Sequence, residues 1–263
     1  MRSFSFGKNW SKFISRAEDS SYIDAFNSLK KLISHTSISK GSFLDIGSGS
    51  GLFSMSAVKL GFNVTSFDLD LDSVNATKLT KKKFFPNQST WKIYKGSILD
   101  NNFLKKILKN QKFEIVYSWG VLHHTGDLQT SLKNSIQLVK KNGYLILAIY
   151  NDQGLFSNYW LIVKKMYNYN FIFKLLIIIL HAPYFLFFIP IIKIFLKKEF
   201  DNRGMKIWYN YLDWIGGYPF QTSKPSDLIN FVQNQNFKLV YKNLVGTKLG
   251  CNEFIFKQIK NDG

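Results

Sequence analysis

The sequence predicts an α/β fold, in which a doubly wound, mostly parallel sheet of seven strands carries a hydrophobic helical insertion. Three observations favour this class. Strand-like and helix-like segments alternate between residues 20 and 150, a glycine-rich turn follows the first apolar strand, and two strand-like segments end the chain. Such alternation is typical of parallel sheets that are covered by helices on both faces. A chain of 263 residues suits one such domain with an insertion.

Each element is predicted from hydrophobic periodicity and from turn residues. Parallel strands are expected at 43–46, 63–68, 91–94, 113–118 and 143–150. Helices are expected at 22–34, 50–60, 72–84, 127–139 and 224–235. Pro225 falls in the first turn of the last helix, where a missing N–H costs nothing. Segments 237–244 and 252–259 then predict an antiparallel hairpin at the sheet edge.

The glycine-rich turn indicates the ligand. Residues 43–51 read Phe-Leu-Asp-Ile-Gly-Ser-Gly-Ser-Gly, so a short buried strand leads into a tight turn and a helix N-terminus. Asp45 would repel a pyrophosphate but attract an ammonium and a sulfonium, and Leu52 stands where the dinucleotide fingerprint requires a glycine. The pattern favours S-adenosylmethionine over NAD. The candidate cofactor-binding residues in this turn are Asp45, Gly47, Ser48, Gly49 and Gly51.

A second carboxylate follows at the distance expected for a ribose contact. Asp68 ends the next predicted strand, about 20 residues beyond the glycine turn, and Leu69 follows it. Both are expected at the cofactor. The alternative is that Asp68 only caps the following helix, as Asp70 or Asp72 would.

On these motifs the chain resembles class I S-adenosylmethionine-dependent methyltransferases over about residues 22–258. The resemblance implies a Rossmann-like methyltransferase fold and an enzyme that transfers a methyl group. Its adenine-side motif falls on Gly96-Ser97-Ile98, although many members carry Asp where Ser97 stands. Ser97 and Ile98 are therefore expected near the adenine, and Ser118 and Trp119 are expected to line the same site. An aromatic residue such as Trp119 is as often part of a core.

Three further segments resemble a bacterial subgroup of ubiquinone-biosynthesis O-methyltransferase-like proteins. They are residues 113–127, residues 213–220 (Asp-Trp-Ile-Gly-Gly-Tyr-Pro-Phe) and residues 250–254. The resemblance implies O-methylation of a small or lipid-linked acceptor, such as a quinone-precursor-like phenol. One fold serves many substrates, so the subgroup says little about the acceptor itself.

The histidines after the fourth strand are the catalytic candidates. His123 and His124 fall at the carboxyl edge of the predicted sheet, and an unperturbed pKa of ~6.5 suits general-base catalysis. The alternative is a structural histidine at either position. A metal cluster with Asp127 is not expected, because the spacing matches no standard ligand set. Trp214 and Tyr218 are the candidate substrate-binding residues, with buried structural anchors as the alternative.

The chain divides into four expected segments. An N-terminal helical cap covers residues 1–40 and a cofactor-binding core covers 41–150. A hydrophobic helical insertion or lid covers 151–217, and a C-terminal helix with antiparallel strands covers 218–263.

The insertion raises the question of a membrane. Residues 153–198 contain six lysines and no acidic residue, and 175–192 form an uncharged run that includes His181 and two prolines. Such a run of ~18 residues reaches the length of a membrane span. Three interpretations stay open: a lid that also touches a membrane, a soluble lid, and a true span. An anionic membrane surface is an expected partner through residues 155–200, with an amphiphilic acceptor.

Composition excludes several other classes. One cysteine and four histidines exclude a disulfide scaffold and a cysteine-rich zinc site. The net charge of +18 is carried mainly by lysine, so nucleic acid is not the expected partner. Base N-methylation is not expected either, because Ser118-Trp119-Gly120-Val121 stands where an Asn/Asp-Pro-Pro-aromatic run would. No signal peptide is recognised, so the expected location is cytoplasmic, with peripheral attachment to the inner face of the membrane.

These observations leave several functions open. The leading hypothesis is O-methylation of a small or lipid-linked acceptor. The alternatives are a soluble glycan or secondary-metabolite methyltransferase, and a membrane-recruited module that binds S-adenosylmethionine without turnover.

Overall fold

The computed structural model describes residues 7, 10, 19–106, 108–109, 111–188, 207–248 and 250–259. In this part of the chain one sheet contains seven strands. They are β1 (Gly41–Ile46), β2 (Phe62–Asp68), β3 (Trp91–Lys95), β4 (Phe113–Trp119), β5 (Val139–Tyr150), β6 (Phe237–Asn243) and β7 (Cys251–Gln258). The predicted α/β class with a mostly parallel sheet is confirmed.

The sheet order is β3-β2-β1-β4-β5-β7-β6. β1 to β5 pair in parallel, whereas β7 lies antiparallel between β5 and β6. The predicted hairpin is present, but only β6 forms the edge, because β7 pairs with β5 as well. The chain passes from β3 back to β4 beside β1. At such a reversal of strand order, open α/β sheets bind ligands beyond the carboxyl ends of the strands.

Helices cover the sheet and form the insertion. They are α1 (Asp19–Ile33), α2 (Leu52–Lys59), α3 (Leu71–Phe84), α4 (Asn101–Lys106), α5 (Leu128–Gln137), α6 (Leu155–Tyr167), α7 (Phe171–Pro183), α8 (Ile207–Gly216) and α9 (Pro225–Gln233). A 3₁₀ turn, Leu122–His124, follows β4, and a π-helical turn, Tyr184–Phe188, extends α7. The short helix α4 was not predicted, because six residues carry too little periodicity. The helix predicted at 127–139 ends at Gln137, since Val139 already pairs with Phe113.

The sheet is buried on both faces. Leu44, Val116 and Leu147 belong to the apolar layer on one face, and Phe43 and Ile115 belong to the layer on the other. Neighbouring residues of one strand therefore enter opposite layers, as the pleat requires. Burial on both faces explains why the central strands read as continuous apolar runs.

The insertion follows β5 and forms a third apolar cluster of its own. Helices α6, α7 and α8 pack together around buried Trp160, Ile177, Tyr211 and Ile215. The outer side of α7 is different. By length and composition, the segment Phe171–Phe188 could cross a membrane, and only 11% of it is buried in the structure.

Part of the sequence-based division falls outside the described residues. This holds for most of 1–18 in the expected cap, and for 189–206 in the expected insertion. The four expected segments therefore stay a prediction.

Candidate functional site

The glycine loop after β1 has a backbone that only glycine adopts without strain. Gly47, Gly49 and Gly51 have φ angles of 75°, 53° and 77°. A Cβ atom on Gly47 would lie 2.4 Å from a methyl group of Val121, and one on Gly51 would lie 2.9 Å from the Cα atom of Thr77. The missing Cβ atoms thus let Val121 and Thr77 pack directly against the loop at the carboxyl edge of the sheet.

Asp45 lies beneath this loop and is only 2% exposed. Its Oδ2 atom accepts a hydrogen bond from Ser54 Oγ at 2.5 Å. Ser54 Oγ lies 2.6 Å from Ser66 Oγ, which accepts from Trp91 Nε1 at 2.9 Å. Burial raises the pKa of Asp45 to about 7, against the effect of the Ser54 hydrogen bond. A cation bound nearby would lower this pKa again and so ionise the carboxyl group. The amine and sulfonium of S-adenosylmethionine would have this effect.

Asp68 ends β2 beside the same loop. Its Oδ2 atom accepts from Gly49 N at 3.0 Å and its Oδ1 atom accepts from Asp70 N at 2.9 Å. Burial raises its pKa to about 6. The N-cap of α3 is Asp70, whose side chain accepts from Asp72 N. Helix capping therefore does not explain Asp68. The structure brings its carboxylate together with the glycine loop, and the ribose contact stays a prediction.

The predicted adenine-side residues lie at or near the ends of β2, β3 and β4. Leu69 is exposed, and Ser97 Oγ accepts from Leu99 N at 3.1 Å. Ile98 is buried and belongs to the apolar core. Ser118 is buried, and its Oγ donates to Ile46 O at 3.3 Å. Ile98 and Ser118 therefore lie in the interior beneath the candidate site.

Trp119 belongs to a short aromatic stack. Its ring lies 5.9 Å from that of Tyr117 and 6.3 Å from that of Phe53. It is partly buried and packs against the core, so both interpretations of this residue agree with its position.

His123 lies in the 3₁₀ turn and is fully buried. Its Nδ1 atom accepts a hydrogen bond from Tyr150 N at 3.2 Å, so the neutral ring carries its hydrogen on Nε2. That Nε2 atom is buried without a hydrogen-bond partner among the described residues. The two rings, His123 and Tyr150, lie 3.8 Å apart. Burial lowers the pKa of His123 well below its ordinary value, with smaller effects from His124 and Lys164.

His124 is oriented by the backbone opposite it. Its Nδ1 atom lies 2.6 Å from Pro219 O, and a carbonyl oxygen only accepts, so Nδ1 carries the hydrogen and Nε2 carries the lone pair. Burial lowers the pKa of His124 to about 3, although the Pro219 contact opposes this. The ordinary histidine pKa assumed from the sequence is therefore wrong for both rings in the free protein.

Trp214 lies in the same aromatic cluster as the two histidines, whereas Tyr218 does not. The Trp214 ring lies 5.4 Å from that of Tyr150, which itself contacts both histidines. Tyr218 is partly buried and precedes Pro219 through a cis peptide bond. No hydrogen bond or ring contact joins Tyr218 to the histidines within the described ranges.

Lys164, which sequence reasoning missed, lies in the same cluster. It is fully buried on α6, donates to Trp214 O, and its Nζ atom lies 4.6 Å and 4.8 Å from the ring centres of Trp214 and Phe220. Burial lowers its pKa to about 7, and Asp213 opposes the shift. Its helical spacing was a usable signal, because it shares one face of α6 with Trp160 and Tyr167.

A small cleft opens beside this cluster. Its accessible volume is about 10 Å³, which is room for about one water molecule, and its walls include Tyr150, Trp160, Trp214 and Phe220. No group of acidic, histidine or cysteine side chains that would hold a metal ion occurs in the described part of the chain. The site therefore consists of a glycine loop with two carboxylates, and a separate aromatic cluster with two histidines and a lysine.

Comparison with known proteins gives relatives for both sequence and fold. The sequence profile of a family described as a methyltransferase domain matches residues 21–241. The chain is 26% identical over 196 residues to the ubiquinone biosynthesis O-methyltransferase of Pelagibacter ubique (strain HTCC1062), covering 74% of this chain and 61% of that one. It is 30% identical over 128 residues to the protein of that name from Rickettsia canadensis (strain McKiel), covering 47% and 49%. The chain thus spans only about half to three fifths of these relatives.

Solved structures share the fold at low sequence identity. A putative methyltransferase from Bacillus halodurans C-125 has a TM-score of 0.56 at 12% identity, over 89% of this chain and all of that one. The magnesium protoporphyrin IX methyltransferase from Synechocystis PCC 6803, solved with bound S-adenosylmethionine, has a TM-score of 0.54 at 10% identity over 90% and 79%.

Proposed function

This chain belongs to the methyltransferase-domain family, and we propose that it transfers the methyl group of S-adenosylmethionine to an oxygen atom of a small or lipid-linked acceptor. The predicted family and cofactor, and the class of enzyme, are confirmed by the family match. The acceptor we propose is a phenol of the quinone-precursor kind, as the names of the curated relatives indicate.

The cofactor is proposed to lie over the glycine loop. There Asp68 accepts hydrogen bonds from both ribose hydroxyls, and Asp45 attracts the amine and the sulfonium of the cofactor. Gly47, Gly49 and Gly51 allow the backbone to turn tightly under the ligand through their positive φ angles, and their neighbour Ser48 forms part of the same loop. When bound, S-adenosylmethionine supplies an activated methyl group. The protein then contributes mainly position and exclusion of water, because an in-line displacement requires little covalent help.

The proposal that the methylated atom is oxygen depends on His124, whose Nε2 atom has the lone pair of the ring. Nδ1 is held by Pro219 O, so Nε2 is the proton-accepting atom of the ring. As the new O–C bond forms and the C–S bond breaks, the acceptor hydroxyl becomes a strong acid. A base with a lowered pKa suffices to take its proton at that stage. His123 holds the adjacent Tyr150 backbone and is proposed as a positioning residue.

The exposed face of α7 supports a lipid-linked acceptor over a soluble one. Phe171, Ile172, Ile179 and Leu180 are 62–77% exposed. The sequence has no acidic residue over 153–198, and Lys165 of α6 and Lys174 of α7 are exposed. An apolar helix face with lysines binds anionic membrane surfaces, each lysine contributing ~1 kcal/mol near the surface. Peripheral attachment at the inner face of the membrane belongs to this proposal.

The first experiment identifies the acceptor class. Purified protein is incubated with methyl-labelled S-adenosylmethionine and a bacterial cell extract, and the products are partitioned between water and organic solvent. We expect label in the organic phase. Label in the water phase would replace the lipid-linked acceptor with a glycan or secondary metabolite. Bound cofactor without any transfer would instead indicate a module without turnover.

The role of His124 is tested by His124→Ala, with His35→Ala as the matched control. His35 is exposed and stacks on Tyr241, away from the site. Loss of a general base lowers kcat by about 100-fold or more. Wild-type turnover by His124→Ala would remove this residue from the mechanism.

The membrane contact is tested by cosedimentation with vesicles of phosphatidylglycerol and phosphatidylcholine. The double variant Leu176→Glu/Ile179→Glu should lose binding to the anionic vesicles. Leu79→Glu, on exposed Leu79 of α3, is the matched control and should bind as the wild type does. Equal binding by all three proteins would exclude α7 as the contact.

A further inference from the structure

Two residues that precede α1, Gly7 and Trp10, contact the loops at the carboxyl edge of the sheet. Gly7 is buried, and its backbone N–H donates to Asp70 Oδ2 at 2.9 Å. A Cβ atom on Gly7 would lie 2.6 Å from the backbone nitrogen of Ser73, in the first turn of α3. The absence of a side chain at Gly7 therefore allows this close approach to the loop that follows β2.

The indole of Trp10 lies directly on the glycine loop that follows β1. A Cβ atom on Gly49 would be 3.2 Å from Trp10 Nε1 and 3.3 Å from Trp10 Cε2. Trp10 also packs against the apolar layer on that face of the sheet, but it is only partly buried. Part of the indole surface therefore stays accessible beside the loop.

The carboxylate of Asp68 is joined to both of these contacts. Its Oδ2 atom accepts from Gly49 N at 3.0 Å, and Trp10 packs on this same glycine. Its Oδ1 atom accepts from Asp70 N at 2.9 Å, and the Asp70 side chain holds Gly7. Gly7 and Trp10 are thus fixed to the two loops that hold the proposed ribose acceptor.

We propose that Trp10 is a further cofactor-contact residue, whose indole covers the ribose of S-adenosylmethionine where that ribose binds to Asp68. The inference rests on the proposed position of the cofactor. A ribose carries apolar C–H surface as well as hydroxyl groups, and an aromatic ring that excludes water from this surface favours binding. Leu69, which follows Asp68, is 66% exposed and offers a second apolar surface to the same ligand.

A cover over Asp68 changes the strength of its hydrogen bonds. A hydrogen bond between a carboxylate and a hydroxyl group is stronger where water is excluded, because the local dielectric constant is lower. The indole should therefore strengthen the Asp68 contacts, and its removal should matter less once Asp68 is gone. A tryptophan that only packs against the apolar layer would show no such coupling to Asp68.

The test is a double-mutant cycle on cofactor affinity. Calorimetry measures the binding of S-adenosylhomocysteine to the wild type, Trp10→Ala, Asp68→Ala and the double variant. Trp10→Phe keeps an aromatic ring at the same position. Phe85→Ala is the matched control, because Phe85 is a partly buried aromatic residue that packs against the same apolar layer at the far end of α3. Thermal melts establish that each variant is folded.

Gly7→Ala tests the same contact without changing the indole. Its new Cβ would meet the backbone of Ser73, so Gly7 has to move away from α3. Trp10 follows three residues later and should lose its fixed position on Gly49. This variant replaces Trp10→Ala in the cycle if Trp10→Ala does not fold.

We expect Trp10→Ala to bind S-adenosylhomocysteine about tenfold more weakly than the wild type, which is the effect of losing one aromatic contact to a nucleoside. In the Asp68→Ala background the same change should cost about threefold or less. Trp10→Phe should show a smaller loss than Trp10→Ala, Gly7→Ala should show a loss of about threefold, and Phe85→Ala should show none.

Unchanged affinity in Trp10→Ala, or in Gly7→Ala where that variant replaces it, would overturn the contact. So would equal losses with and without Asp68. Tighter binding by Trp10→Ala would also overturn it, because the indole would then occupy the place of the ligand. Wild-type affinity in Asp68→Ala would instead remove the proposed position of the ribose, and the Trp10 contact with it.

Discussion

Burial shifts pKa values in opposite directions in the two parts of this site, the proposed cofactor side and the proposed acceptor side. The cofactor side buries acceptors, Asp45 and Asp68, and burial raises their pKa values to about 7 and about 6. The acceptor side buries donors, and burial lowers the pKa of Lys164 to about 7. On each side burial disfavours the charged form. The comparison teaches that the same physical cause, burial, raises the pKa values of the carboxyl groups by the glycine loop and lowers that of the amine in the aromatic cluster.

The largest effect is expected on the cofactor side. Asp68→Ala removes the carboxylate that we propose accepts hydrogen bonds from both ribose hydroxyls, and two hydrogen bonds to a charged group are together worth about 3 kcal/mol or more. Affinity for S-adenosylhomocysteine, measured by calorimetry, should fall by about 100-fold. Asp24→Ala is the control, because Asp24 is exposed on α1. Wild-type affinity in Asp68→Ala would show that Asp68 does not hold the ribose.

The second prediction separates backbone strain from steric contact in the glycine loop. Gly47 and Gly61 both have positive φ angles, but only a Cβ on Gly47 would meet another atom, the Val121 methyl. Gly47→Ala should cost about 1–3 kcal/mol of unfolding free energy more than Gly61→Ala, measured by denaturant titration. The double variant Gly47→Ala/Val121→Ala should recover part of this difference. Equal costs for the two single variants would mean that Val121 simply moves away.

The third prediction concerns the pH dependence of cofactor binding. In the free protein Asp45 and Asp68 keep their protons up to about pH 7 and pH 6, well above the ordinary value of 3.8. Both are expected to be ionised when the cationic cofactor is bound. Affinity for S-adenosylmethionine should therefore rise by about 100-fold between pH 5.5 and pH 8 and then level off. An affinity that is constant across this range would contradict the coupling of these two carboxyl groups to the cofactor.

The smallest effect is expected at the opposite edge of the sheet. Burial alone would raise the pKa of Glu114, but hydrogen bonds from Lys140 and Ser42 hold it at about 2. This stabilisation is present above pH 4.5 and is lost as the pH falls towards 2. Because Lys140 is 56% exposed, Glu114→Gln should cost less than about 1 kcal/mol at pH 7. A thermal melt measures this, and ligand affinity should not change.

The cofactor side was largely predictable because its requirements are local. Asp45 and the glycines of the loop are within seven residues of one another, and their φ angles and spacing restrict the residues that fit. Asp68 ends the next strand, which pairs directly with β1. Strand and helix periodicity likewise indicated the sheet, whereas the short helix α4 was missed because six residues show no clear period.

The acceptor side was decided by tertiary structure, because its contacts join residues far apart in sequence. His124 meets the carbonyl of Pro219, 95 residues away, and Lys164 meets that of Trp214, 50 residues away. The sequence placed two histidines at the right edge, but burial changed their pKa values and left Nε2 of His124 as the accepting atom. By itself, the sequence determined the fold class and the cofactor, since both rest on short-range patterns. Only the packing of the insertion against the core decided which groups the histidines and Lys164 contact and which protonation state burial favours.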